Sequence, residues 1–298
     1  MDSAVLTGFA FALLGSVFMG LYPAPKKLAK QDSVLFTLVM VLAFFLGSLV
    51  MAAYNGLLQG LYSKTGSPYF LYSVLMGPIW AGGVYLFIRS VNKIGLSRAN
   101  PWKNFSPLFG IILGFVLLKE HLTVNPFYVV FGGLFVVLSA YVLSKTTGES
   151  DNYRPTDIGG ILMAVFAGFL LAVVSILNKL AIPLGVVEQQ VVWSASSLVS
   201  LMVLAVILKK NLLAVSKRDN FLAFFAGVIF LGAAYFLLSS FKFLEVSVAY
   251  VIIQANVIWA VGVGVIFFHE IDVKKYKYRI IAGVLSGVFG VLLLAFAK

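Results

Sequence analysis

The chain has 298 residues, 61% hydrophobic and 11% charged, with a formal net charge of +11, no cysteine and a mean hydropathy of +1.02. Soluble domains carry about 45–50% apolar and about 25% charged residues, so the composition excludes a soluble globular domain and indicates a polytopic membrane protein. Disulfide and thiolate chemistry are excluded by the missing cysteines, and a nucleic-acid partner by the placing of the basic residues in loops between apolar runs.

About 20 apolar residues cross a bilayer core. Ten such spans fit: 4–24, 32–57, 69–91, 96–118, 124–144, 157–179, 186–208, 219–240, 246–268 and 277–297. The first lacks a basic leader and a small-residue cleavage signal, so it is expected to remain as a transmembrane helix. It ends at Tyr22-Pro23-Ala24-Pro25, where proline stops the helix and Lys26, Lys27 and Lys30 anchor it at the interface. Asp32-Ser33 offers a cap for the second span. The third carries Trp80 and a stripe of Tyr85, Arg89 and Asn92; the fourth aligns Asn100, Lys103, Asn104, Pro107, Ile111 and Gly114 on one helical face, with Ser106 pointing elsewhere. After the fifth span comes the most polar connection, KTTGESDNYRPT, residues 145–156. It divides the chain into 1–145, a linker at 146–156, and 157–298. The seventh span opens with Glu188, Gln189 and Gln190 and holds Trp193. Tyr235, Ser239 and Lys242 form a stripe in the eighth; Ser247, Tyr250 and Gln254 form one in the ninth, with Asn256 and Trp259 off to another side.

Residues 77–133 and 227–283 align without a gap at an offset of 150. Gly77, Ile79, Gly82, Tyr85, Ser90, Ser97, Ala99, Gly114, Glu120 and Gly133 recur as Gly227, Ile229, Gly232, Tyr235, Ser240, Ser247, Ala249, Gly264, Glu270 and Gly283. Internal duplication in an apolar chain marks transporters built from two related halves. Five spans per half is odd, so the second half enters the membrane in the opposite sense. The expected fold is therefore all-α and polytopic, with ten transmembrane helices arranged as two inverted five-helix repeats. The face bearing both termini holds five basic residues, Lys64, Lys119, Lys179, Lys242 and Lys298, and the opposite face sixteen. That bias predicts cytoplasmic basic loops, outward termini and residence in the cytoplasmic membrane.

Polar groups inside spans face a cavity or another helix. The stripes above therefore nominate Tyr85, Arg89, Asn100, Lys103, Asn104, Tyr235, Tyr250 and Gln254 for contact with a small polar solute, with ordinary interhelical hydrogen bonding as the alternative. Lys103 lies about two turns into its span, where it either donates to a solute or snorkels to the interface. Trp80 and Trp259 add aromatic faces that match the C–H face of a sugar, though indole also packs in any apolar core. Glu188 is the one moderate candidate for coupling to an ion; a helix-start glutamate complementing the dipole is the other reading. Glu120 and Glu270 stand at helix-to-turn boundaries, where they are expected to accept amides of the next helix. His121 and His269 beside them lie on opposite faces and make no shared metal site. No nucleotide loop or catalytic set is present, and neither an enzyme nor a cofactor is expected. The pairs Gly110/Gly114 and Gly283/Gly287 serve either close packing inside the monomer or a homodimer face.

The stretches GLSRANPWKNFSPLFGIILGFVLLKEHLT (95–123) and EVSVAYVIIQANVIWAVGVGVIFFHEIDV (245–273) resemble the repeat signature of the drug/metabolite transporter superfamily. The opening MDSAVLTGFAFALLGSVFMG and GLSRANP resemble its glucose/ribose/rhamnose-type sugar-uptake branch. The resemblance implies a ten-helix secondary carrier for a small polar solute, a sugar above all. It also implies cytoplasmic termini, against the charge bias, which is followed here. An exporter of amino acids or amphipathic drugs on the same fold is the first alternative; a channel or membrane-embedded enzyme is the second.

Overall fold

The computed structural model describes residues 3–94, 99, 102–144, 157–211, 216–267 and 273–297, and every regular element among them is helical. The linker at 146–156, Asn100, His269 and Glu270 lie outside the described residues. Helix α1 (Ser3–Leu21) stops just before Pro23 and is followed by one short turn, Ala24–Leu28. Asp32 caps α2 (Ser33–Tyr54), its carboxylate accepting the Val34 amide at 2.9 Å. Helix α3 (Pro68–Ile94) continues through Pro78, and α4 (Ser106–Leu117) and α5 (Pro126–Ser144) complete the first half. The second half comprises α6 (Ile158–Leu180), α7 (Val186–Ile207), α8 (Lys217–Ser240), α9 (Val246–Gln254), α10 (Asn256–Ile266) and α11 (Val273–Ala295). Asp157 and Ser216 cap α6 and α8 through the amides of Gly160 and Asp219.

Among the described residues, eight helices are long and apolar enough to cross a membrane; Ser106–Leu117 and Val246–Ala260 are shorter apolar stretches. The fourth and ninth expected spans are thus interrupted rather than continuous. Large apolar side chains such as Val50, Val116, Phe166 and Phe221 stand on the outside, as lipid contact requires.

Between helices in lipid, association comes from close packing and hydrogen bonds rather than from the hydrophobic effect. The main contacts run α3 to α6 and α7, and α8 to α1 and α2; α2 meets α7, α4 meets α9, and α5 meets α11. The contacts of α3 with α6 and α7 parallel those of α8 with α1 and α2. The repeated glycines sit where helices cross. A Cβ on Gly77 would collide with the backbone at Ser196–Ser197 of α7, and one on its mate Gly227 with the Met40 carbonyl of α2. The glycine pairs also act within the monomer: Gly110 faces the Tyr250 ring, Gly114 faces Glu120 and Ser247, Gly283 faces Leu143, and Gly287 faces Ser139 and Ile258.

Helices α2 and α7 are tied at both ends. Lys210 at the end of α7 reaches Asp32 at the start of α2 (2.8 Å), and Lys64 beyond the end of α2 reaches Glu188 in the first turn of α7 (2.9 Å).

Candidate functional site

The two interruptions fall at equivalent positions. Lys103 is helical, Asn104 and Phe105 form a turn, and α4 begins at Ser106. Pro107 has no N–H to give to the carbonyl of Lys103, four residues back. That carbonyl instead lies over Gly168 of α6, where a Cβ would stand 2.5 Å from it. In the second half the turn is Ala255, 150 residues after Phe105, between α9 and α10. There the Asn256 carbonyl and Trp259 Cβ lie over Gly20 of α1, 2.7 and 2.6 Å from where a Cβ would be. Each break therefore rests on a glycine of the opposite half's first helix. Non-helical backbone at membrane depth is tolerated only where protein buries it or a cavity runs past it, and broken helices mark binding sites in transporters.

Polar side chains gather at these breaks. Asn104 is buried and its Nδ2 has no protein partner. The Tyr250 hydroxyl donates to Ser106 Oγ at 3.2 Å, with Ser175 and Gln254 within hydrogen-bonding reach of the same group. Asn256 Nδ2 donates to Gln254 Oε1 at 3.4 Å. The sequence set Ser106 off the polar stripe. The turn at Asn104–Phe105 resets the helical phase and brings it to Tyr250.

Helices α2, α3, α7 and α8 enclose a narrow aromatic crevice lined by Val41, Phe44, Trp80, Trp193, Ser197 and Phe230. Trp80 and Phe230 are 150 residues apart, so they are repeat mates, with ring centroids at 5.8 Å. Phe44 meets Trp193 and Phe230 edge-on at 5.4 and 5.2 Å. Trp193 Nε1 and Ser197 Oγ are buried without a protein partner. On the same helix Gln190 donates to the Leu231 carbonyl (3.2 Å) and Gln189 to the carbonyl and side chain of Asn178 (3.0 and 2.9 Å). The Oε1 atoms of both glutamines and Nδ2 of Asn178 remain without protein partners. A buried polar atom left unpaired costs about 1–3 kcal/mol, so this group holds hydrogen-bonding capacity that the protein itself does not use.

Of the residues singled out in the sequence, Trp80 lines the crevice, and Asn104, Tyr250 and Gln254 cluster at the breaks. Tyr85 and Arg89 pair with each other, the guanidinium 5.9 Å from the ring centroid, and Arg89 is exposed. Lys103 Nζ lies 5.3 Å over the Phe87 ring. Tyr235 is half-buried against Phe236. Trp259 is 43% exposed and donates through Nε1 to Ser16 Oγ at 3.1 Å. Glu188 is buried and paired with Lys64. Sequence reasoning missed Phe44, Ser175, Asn178, Gln189, Gln190, Trp193 and Ser197 as site residues. The signal present was the polar run EQQVVWSASS within an apolar span.

Glu120 differs from its expected role. Its two carboxylate oxygens accept the amides of Val246 (2.8 Å) and Ser247 (2.9 Å), so it caps α9 of the other half rather than the helix that follows it. Packing of α9 against α4 puts the start of α9, which follows the turn at 241–245, beside Glu120.

A family model described as "Sugar transport protein" matches residues 11–297. The chain belongs to that sugar transport protein family. No curated protein matches the sequence. A solved crystal structure, titled only as that of a protein, is similar at a TM-score of 0.76 and 17% identity, covering 98% of this chain and 96% of its own. At that identity the likeness shows the fold alone. With its apolar helices, this sugar transport protein is an integral, multi-pass membrane protein.

Proposed function

We propose that the protein moves a sugar across the cytoplasmic membrane by alternating access, using two inverted five-helix halves. The observation that carries this reading is the aromatic crevice between repeat mates Trp80 and Phe230, whose lining residues Trp193 and Ser197 hold a buried Nε1 and Oγ without a protein partner. A pyranose has an apolar C–H face and a rim of hydroxyls. Indole and phenyl faces suit the first; the indole N–H, the serine hydroxyl and the amides of Asn104, Gln190 and Gln254 suit the second. The crevice has no room for even a water-sized group, so a carrier in this state must widen to load a sugar.

The packing that repeats at the 150-residue offset, with breaks at both Phe105 and Ala255, supports ten spans in two inverted halves. In that reading α4 and α9–α10 line the path from opposite faces, while α2 and α7 run between the two ends. Lys103, Tyr85, Arg89 and Tyr235 lie along the path outside the crevice. The basic loops face the cytoplasm.

The test is uptake in proteoliposomes with a counterflow screen of sugars against amino acids. Trp193→Ala and Asn104→Ala should each lower sugar uptake by about tenfold or more, equivalent to about 1.4 kcal/mol. Undiminished uptake in both would remove the site assignment, and counterflow by amino acids alone would replace the sugar.

A further inference from the structure

We propose that Glu120 is a positioning residue that latches α9 to the first half, and that its two bonds must break for the path to open at the end of the molecule bearing the termini. This rests on the alternating-access reading above.

The latch is built from both sides. Glu120 is 4% exposed and gives one oxygen to each of two successive amides at the start of α9. Glu245, the N-cap residue, adds no side-chain bond to that start; its carboxylate pairs instead with Lys179 at 3.3 Å. Position 114 is a glycine because a Cβ there would stand 2.6 Å from Glu120 Oε2. Sequence shows that this is no local accident: Gly114, Glu120 and Ser247 all belong to the repeated set.

The rest of the α4–α9 seam is suited to parting. Gly110 receives the Tyr250 ring, Gly114 faces Ser247, and Ser106 accepts from the Tyr250 hydroxyl. Small residues and hydrogen bonds hold the seam, without interlocked branched side chains at these three points. Helix α9 has nine residues, about 13.5 Å at 1.5 Å each. It is fixed by Glu120 at one end and interrupted at Ala255 at the other. Such a segment moves as a short lever about the interruption, carrying Tyr250 and Gln254 with it. The latched end lies where the chain ends: the Asn125 amide, five residues beyond Glu120, donates to the Ala297 carbonyl at 2.9 Å. Releasing Glu120 therefore opens that end and leaves the other untouched.

The chain has no cysteine, so one introduced thiol reports alone. Ser247→Cys is placed in the full chain, alone and with Glu120→Gln, in proteoliposomes. The rate of modification by a membrane-impermeant maleimide is read from each side without sugar. Glutamine keeps the size and loses the charge and one acceptor oxygen. The latch predicts about a tenfold faster reaction from the termini-bearing side and no change from the other. Glu120→Asp, which retains the charge, should restore part of the protection, and Gly114→Ala, which displaces the carboxylate, should reproduce the sided gain. A purely structural cap would lower the unfolding temperature and raise labelling from both sides alike, which overturns the proposal. Unchanged labelling in a folded Glu120→Gln protein also overturns it. So does failure of all three variants to fold, because the contact is then part of the fold and not a latch. Since no sugar enters the labelling assay, its outcome is separate from whether the solute is a sugar.

Discussion

Trp193 separates the two things an indole does in a membrane core. Its ring packs edge-on with Phe44 and Phe230, while its Nε1 has no protein partner. Trp193→Phe keeps the packing and removes an unpaired buried donor. It is expected to leave the unfolding temperature in detergent unchanged or raised, while the KM for sugar rises several-fold. A stability loss with unaltered KM would assign the tryptophan to the core alone. Gly227 gives a contrasting expectation. A methyl there meets the Met40 carbonyl, a backbone atom that cannot rotate away, so Gly227→Ala should destabilise by about 1–3 kcal/mol, read by thermal unfolding. At this scale the sequence was legible where a residue's environment follows from its own helix: Tyr250 and Gln254, four apart on one stripe, come within hydrogen-bonding reach. It was not legible for Ser106 or Glu120, whose partners are Tyr250 and the Val246–Ser247 amides. Separations of 144 and 126 residues leave no local trace.

Helix ends carry most of the charge, and their environments differ. Lys210–Asp32 joins two partly exposed side chains, whereas Lys64–Glu188 joins a part-exposed lysine to a carboxylate that is 9% exposed. Exposed pairs are worth about 0–1 kcal/mol, so Lys210→Ala should barely move the unfolding temperature. Lys64→Ala leaves a buried carboxylate without its cation and should be the more destabilising. The exchange Lys64→Glu with Glu188→Lys should recover part of that loss; no recovery would mean the pair acts through packing. The α6 cap responds to pH. The Gly160 amide first, then Lys93, hold the Asp157 carboxyl below its usual range. A depressed folded pKa gives stability that is present above the unfolded value, about 3.9, and is lost as pH falls through the folded one. Protection against amide exchange at residues 158–161, taken relative to the intrinsic rate at each pH, should therefore fall below about pH 4 and hold between pH 6 and 8. Helix extents were legible because hydropathy sets them. The two interruptions were not, since Pro107 read equally as a face residue and Ala255 carries no helix-breaking signal of its own.

The molecule is organised by its repeat. Duplication was visible in the sequence through residues such as Gly77 and Gly227 because backbone-to-backbone crossings tolerate only glycine. The proposed crevice was less visible because there the two copies diverge: Trp80 against Phe230 and Ala43 against Trp193. The α2–α7 pair, tied near both ends, forms a strut against which α4 and α9 can move. Two identical halves would rest equally on either face. In the proposed alternating-access cycle, crevice walls made of an indole and a phenyl ring would give the two facing states different energies even without solute. A difference of about 1.4 kcal/mol gives a tenfold preference. Under that proposal, the mismatch across Trp80 and Phe230 would bias the resting state, setting which side of the membrane the empty carrier waits for.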